Sequence, residues 1–221
     1  VNFFLAENGF EFIRAVLNPS DIDGLRNSLA TLAIAPGHRN LAARVPLVTQ
    51  LASSSSILKL VQRGSSGKPV LVRSILFDKT AEINWLVPWH QDLSIAVKER
   101  RDIPRYGPWS LKDGIPHVQP PTEILQSIIT LRLHLDDCDE TNGALRVVPR
   151  SHDLGRIDSS QFRKLRQIEG EVVCSMMAGD ALLMRPLLLH SSSPALVPCR
   201  RRVIHLEFSS CSLEGGLEWA V

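Results

Sequence analysis

The sequence has no excess of charge of either sign, no CxxC pair and no apolar run long enough to cross a bilayer. The 25 Lys and Arg residues against 23 Asp and Glu leave a formal charge of +2 over 221 residues, too even a balance for a nucleic-acid-binding surface. The four cysteines, Cys138, Cys174, Cys199 and Cys211, are too scattered for a zinc ribbon, a redox motif or a disulfide framework, and fit free thiols in a reducing compartment. In the opening VNFFLAENGFEFIRAVL, Glu7 and Glu11 interrupt the apolar residues before a signal-peptide core or a spanning length is reached. Internal repeats and low-complexity tracts are missing too. These absences predict a cytoplasmic protein that binds neither nucleic acid nor membrane, and the length suits one domain, 1–221, with a sizeable core.

Hydrophobic spacing changes once along the chain. Residues 7 to 17 and 20 to 33 place apolar residues three and four apart, with Ser20 in NPSDIDGL as the expected N-cap of the second stretch. LVTQLASSSSILKLVQR reads as a third helix, ended by GSSGK, so residues 1–66 are expected to be mainly helical. From residue 70 strands take over. PVLVRSILF is extended and β-branched, and further strands are expected at 127–136, 144–148, 171–176, 181–185 and 201–209, with DETNG and AGD as turns. The pattern predicts a mostly β protein with flanking helices, its 70–210 core a sandwich or barrel. One segment departs from it: KERRDIPRYGPWSLKDGIPHVQPP holds five prolines and little periodicity, which makes about 98–122 a loop. Its place just after a candidate site predicts a lid.

That site begins in WLVPWHQDLS, where His90 and Asp92 stand one residue apart after an apolar run. On a strand, residues i and i+2 point to the same side, so both can reach one ion, with Gln91 opposite or at the rim. Alone, such a pair usually meets solvent or caps a turn. His190, following the apolar run of MRPLLLHSSSPAL, supplies a third donor. Two histidines and one carboxylate form the facial triad that holds non-haem Fe(II) with open positions, which oxygen chemistry needs.

CRRRVIHLEF adds a cluster of cations. An oxygenase of this type commonly takes a chelating co-substrate with a distal carboxylate, which a guanidinium fork binds through two parallel charge-assisted hydrogen bonds. Arg201 lies eleven residues after His190 and opens the next strand; Arg200 and Arg202 compete for the role, because strand boundaries read from sequence shift by about two residues.

In this order, WHQD, LHLDDCDETNGALRVVPRSH, GDALLMRPLLLHSSSP and RRVIHLEF resemble the phytanoyl-CoA dioxygenase family of Fe(II)/2-oxoglutarate-dependent oxygenases over about residues 70 to 210. The resemblance implies a double-stranded β-helix, the cupin-like jelly roll, with helices packed outside and iron on His90, Asp92 and His190. It implies 2-oxoglutarate bound by Arg201 with help from Ser192, and O2 as the oxidant. It also brings Arg132, eleven residues before Gly143, to the co-substrate, at a position where relatives commonly carry tryptophan. A buried arginine is costly unless an anion pairs with it, so Arg132 is expected to grip 2-oxoglutarate or a substrate carboxylate. The family's PGSH turn reads PRSH here, with Arg150 in place of glycine.

Chemically, the resemblance implies oxidative decarboxylation of 2-oxoglutarate to succinate and carbon dioxide, coupled to hydroxylation of an unactivated C–H bond. Asp92 argues against halogenation, which needs that ligand position free; desaturation and ring formation would use the same triad. In the expected register Arg73, Arg132 and Gln91 line the inner face, and so positive a pocket suits a small carboxylate-bearing metabolite better than an acyl-CoA. Two other classes share these residues. A zinc hydrolase or isomerase could use the same three ligands but leaves the arginine spacing unexplained, and a catalytically silent jelly-roll binding module would keep the fold alone. His134 and His205, also on expected strands, read as supporting residues.

Overall fold

The ten-residue strand Val70–Lys79 shows how the sequence sorts itself between two environments. Val72, Ser74, Leu76 and Asp78 are buried on one face, where Leu76 joins the helices and Ser74 Oγ accepts from the Ala42 amide at 2.9 Å. Arg73, Ile75, Phe77 and Lys79 line a cavity on the other. The two-residue period of the pleat makes this division, and neighbouring strands repeat it. Arg201–Ser209 pairs antiparallel with Val70–Lys79 on one side and with Ile128–His134 on the other.

The structure, a computed structural model, describes residues 3–33, 35–197 and 199–221. Its largest sheet has six strands in the order Phe10–Ile13, Ala181–Met184, Ile128–His134, Arg201–Ser209, Val70–Lys79 and Gly37–Arg39. A four-stranded sheet runs Val172–Val173, Leu145–Val147, His190–Ser192 and Val87–His90. All pairings are antiparallel, and the two sheets form an open jelly roll rather than a closed barrel. Leu25, Leu29, Leu41, Val48, Ile57 and Val61 from the N-terminal helices pack on Leu131, Leu133, Ile204, Leu206 and Phe208 of the large sheet. Phe10, Leu145, Val147, Cys174, Met176 and Leu182 form a second apolar cluster. Among the described residues no helix is long and apolar enough to cross a membrane.

The N-terminal third departs from the helical expectation. The stretch 7–17 contains only the end of a single turn, Leu5–Asn8, which Gly9 stops at φ 81°; Phe10–Ile13 then becomes the edge strand paired with Ala181–Met184. An open sheet edge captured residues whose spacing also fitted a helix. Gly37–Arg39 is likewise a strand, at the opposite edge. The second helix is Pro19–Leu29, capped by Asn18 in a reciprocal box with Asp21, so Ser20 lies inside its first turn. The third divides into Pro46–Ala52 and Ser55–Gln62, because Ser54 adopts extended backbone and caps the latter.

The 98–122 segment is not structureless. Trp109–Lys112 and Ile115–Val118 form a hairpin around Asp113 and Gly114, both at positive φ, 52° and 77°, and Ile95–Ala96 adds a third strand. Val118, Tyr106 and Ile95 are anchored in an apolar cluster with Leu125, Ile128, Leu187 and Leu217. The Asp-Gly pair in KDGI was the turn signal; five surrounding prolines masked it.

A Cβ on Gly9 would lie 2.5 Å from the His152 ring and 2.9 Å from Leu188. Gly9→Ala is expected to lower stability by about 1–3 kcal/mol, read as a reduced denaturant midpoint at unchanged slope.

Candidate metal and co-substrate site

Antiparallel pairing sets His190 directly opposite His90, with a bulge before Ser192, and brings the two imidazole centroids to 4.2 Å. Each ring is oriented by its own chain. His90 Nδ1 lies 2.8 Å from the Pro88 carbonyl and His190 Nδ1 2.8 Å from that of Leu188, so Nδ1–H donates and Nε2 keeps its lone pair. Both lone pairs face Asp92: Nε2 of His90 is 3.8 Å from Oδ1, and Nε2 of His190 is 3.7 Å from Oδ2. Asp92 is held in turn by its amide, which donates to the Pro186 carbonyl at 2.9 Å.

The three donor atoms lie within 4.8 Å of one another. Burial holds the His190 pKa down at about 4, leaving the ring neutral at pH 7. Burial alone would raise the Asp92 pKa, but His190, Arg73, His205 and His90 outweigh it and keep the carboxyl ionised, well below its usual range. Two imidazole Nε2 atoms and a carboxylate aimed at one point fit a divalent cation.

Across the cavity lies the inner face of the large sheet. Arg201 pairs with Lys79 across strands, His205 with Arg132, and Glu207 with Arg73. Arg201 and Lys79 are 3% and 1% exposed, and neither they nor buried Arg132 has an ion-pair partner among the described residues. Arg201 donates to the Gly143 carbonyl at 2.8 Å and leaves Nε without a partner; Arg132 Nε is also unpartnered. Lys79 donates to Ser192 Oγ at 3.0 Å and to the Ser193 carbonyl at 2.7 Å, while Ser192 Oγ donates to Gly143 at 2.8 Å. Burial, then the charges of Arg201 and Arg132, bring the Lys79 pKa down to about 8; burial and Arg201 take Arg132 to about 10. Three buried cations with spare donors fit an anion.

A second network lies alongside. Arg132 can only donate to His205 Nδ1, at 3.1 Å, so His205 carries its proton on Nε2 and donates to Glu207 at 3.0 Å. Arg73 pairs with the same Glu207 oxygen and donates to the Ser94 carbonyl at 3.1 Å.

Of the sequence candidates, His90, Asp92, His190, Ser192, Arg201, Arg132 and Arg73 all line one cavity of about 170 Å³. Gln91 does not. Its side chain bonds to the main chain of Gly155, Leu187 and Ile157, because the residue between His90 and Asp92 points to the opposite side of the strand; it is a scaffold residue, not a substrate contact. Arg200 and Arg202 pair with Asp78 and Asp136 outside the cavity. Lys79, His205 and Glu207 were missed or undervalued, although alternation in RSILFDK and RRVIHLEF puts them in line with Arg73 and Arg201. His134 is buried with both ring nitrogens unpartnered and its pKa lowered to about 3 by burial and Arg132. Arg150 takes up φ 64°, the left-handed conformation for which glycine is suited.

Residues 5–203 match the family model described as phytanoyl-CoA dioxygenase (PhyH). The chain belongs to the phytanoyl-CoA dioxygenase family. Membership makes it a non-haem Fe(II)- and 2-oxoglutarate-dependent dioxygenase, with O2 as its oxidant. Similar solved structures share the fold at low identity. EctD from S. alaskensis, in its apo form, superimposes with a TM-score of 0.71 at 16% identity, covering 93% of this chain and 74% of its own. HygX from Streptomyces hygroscopicus, with nickel and 2-oxoglutarate bound, gives 0.68 at 18% identity over 93% and 84%. AviO1 from Streptomyces viridochromogenes Tue57 gives 0.64 at 20% over 94% and 92%. A search of curated proteins found no match.

Within this family member, Gly143 links the cation cluster to the small sheet. It has φ 78°, and a Cβ there would lie 2.4 Å from the Ser193 carbonyl oxygen and 3.2 Å from Lys79 Nζ. Gly143→Ala is expected to cost about 1–3 kcal/mol in stability and to weaken 2-oxoglutarate binding, as read by thermal unfolding with and without the co-substrate.

Proposed function

We propose that His90, Asp92 and His190 hold Fe(II), that Arg201, Lys79 and Ser192 hold the distal carboxylate of 2-oxoglutarate, and that the enzyme hydroxylates a small carboxylate-bearing metabolite. The observation that carries this reading is the facing of two opposite charge arrangements: donor atoms of His90, Asp92 and His190 within 4.8 Å of one another, and a cluster of buried cations with no ion-pair partner among the described residues. Fe(II) and 2-oxoglutarate answer both at once. With O2 they supply the oxidising power to replace an unactivated C–H bond by C–OH.

The chain's own residues do the rest. His90 and His190 present their Nε2 atoms because Pro88 and Leu188 fix the tautomer. Arg201 offers a fork and Lys79 a point charge to one carboxylate, and Ser192 joins them through its hydroxyl. Arg132 and Arg73, held by His205 and Glu207, face the space left for the substrate and favour a carboxylate there over an amine. We assign the 98–122 segment to covering that space, since Lys112 and His117 of its hairpin line the outer end. Four free cysteines favour the cytoplasm as its compartment.

Anaerobic addition of Fe(II) and 2-oxoglutarate is expected to produce a weak visible charge-transfer band, and Asp92→Ala or His190→Ala to abolish it; a full band in either variant would show the ligand set to be wrong. Arg201→Ala should raise the 2-oxoglutarate requirement by roughly 30-fold to several thousand-fold, the equivalent of about 2–5 kcal/mol for a desolvated carboxylate losing its partner. Arg200→Ala, whose Asp78 pairing lies outside the cavity, should cost less than about 1 kcal/mol.

Lys79 carries a pH signature. With its pKa lowered to about 8, it is charged below that pH and neutral above, so 2-oxoglutarate affinity should fall as pH rises through this value. Lys79→Met should bind more weakly throughout and lose that alkaline decline. Titrating the visible band at several pH values checks both.

A further inference from the structure

The outer end of the cavity holds a charge that the iron and co-substrate do not answer. Arg39 reaches it from the edge strand Gly37–Arg39, and Lys112 and His117 from the hairpin, all lining the cavity that contains His90 and Arg201. Two of its cations already have partners. Arg73 is paired with Glu207, and Arg39 with exposed Asp113 at 2.7 Å. Lys112 has none: among the described residues no carboxylate lies within ion-pair distance, and its one hydrogen bond, to Ser94 Oγ, is 3.5 Å long.

Its surroundings make that isolation costly. Lys112 is half-buried and faces the guanidinium groups of Arg73 and Arg39, and burial followed by these two charges lowers its pKa. His117 adds no charge, since burial keeps its ring neutral while Nδ1–H donates to the Ile115 carbonyl at 2.9 Å. Glu207 and Asp92 are near enough to oppose the effect but are committed, the one to Arg73 and His205, the other to the histidine pair. A cation partly removed from water among like charges is destabilised until an anion joins it.

We propose that Lys112, beside the Asp113-paired Arg39, forms a second anion subsite at the outer end of the cavity, which binds a carboxylate or phosphate group at the far end of the primary substrate. The substrate is then a small dianion, with one carboxylate toward Arg132 and Arg73 and a second oxyanion at the mouth. Its reacting carbon lies between that mouth and the metal ligands. This placement rests on the function proposed above; the subsite itself does not require iron. Amine-bearing analogues are rejected by the same cluster that attracts the dianion.

The test uses anaerobic protein loaded with Fe(II) and saturating 2-oxoglutarate, so that Arg201 and Lys79 are occupied, and dependence on Lys112 separates the outer subsite from anion binding at Arg132 and Arg73. Inorganic phosphate and acetate are then titrated separately by calorimetry into wild type, Lys112→Gln and Lys112→Arg. At least one anion is expected to bind, about tenfold or more weakly to Lys112→Gln than to wild type, with Lys112→Arg recovering most of the loss. Stronger phosphate binding identifies a phosphate ester, stronger acetate binding a second carboxylate. Equal affinity in wild type and Lys112→Gln, or no binding of either anion, overturns the subsite. The visible band in the same samples keeps the two ideas apart. If the band forms but Lys112 has no effect, the subsite alone fails; if no band forms, the titrations are repeated on metal-free protein, where Lys112-dependent binding leaves the subsite standing without the oxygenase assignment.

Discussion

A side chain on a β-strand can point to only one face of its sheet, and the whole site depends on that constraint acting on Arg201–Ser209. Odd-numbered Arg201, His205 and Glu207 face the cavity or its buried network, while Ile204, Leu206 and Phe208 join the apolar layer under the helices. A shift of one residue would place charges in the helix core and aliphatic side chains against His90, Asp92 and His190. The pairing with strands on both sides makes such a shift costly, because it would also misplace Lys79, Arg73 and Arg132. Fold stability and site geometry therefore rest on the same hydrogen-bond ladder.

That ladder concentrates charge where water is scarce. Arg201, Lys79 and Arg132 sit between the sheets without carboxylates, whereas Arg200 and Arg202, one residue to either side of Arg201, are matched with Asp78 and Asp136. A paired surface arginine has little left to offer a ligand, while a desolvated guanidinium with a free Nε–H gains strongly from an arriving carboxylate. The facing side of the cavity has the opposite sign, the half-buried Asp92 carboxylate between two histidines. On the proposed assignment each ligand would relieve the electrostatic cost of the residues that receive it, linking binding to stabilisation of the folded state.

The hairpin at Trp109–Lys112 and Ile115–Val118 extends this logic outward. It is secured at its base by Val118 in an apolar cluster, and its exposed Asp113–Gly114 turn is tied to the edge strand by the Asp113–Arg39 ion pair. Lys112 and His117 lie on this element rather than on the large sheet, so the outer cavity takes its wall from a different part of the chain than its floor.

The convergence of His90, Asp92 and His190 was legible in the sequence because HxD on a strand places two donors on one side whatever the rest of the chain does, and His190 follows an apolar run. The large strands were legible for the same reason, since a two-residue period is local. The segment 7–17 was not: its apolar spacing is compatible with helix or strand, and the choice fell to the unpaired edge of Ala181–Met184. Nor could local pattern tell Arg201 from Arg200 and Arg202, or show that Gln91 would be consumed by the main chain of residues 155, 157 and 187. The sequence by itself determined which donors and cations were available and which faces of the strands they shared. Only tertiary structure decided which cations were neutralised, because an ion pair depends on a carboxylate brought from a distant strand, and that distance is not written in either residue's neighbours.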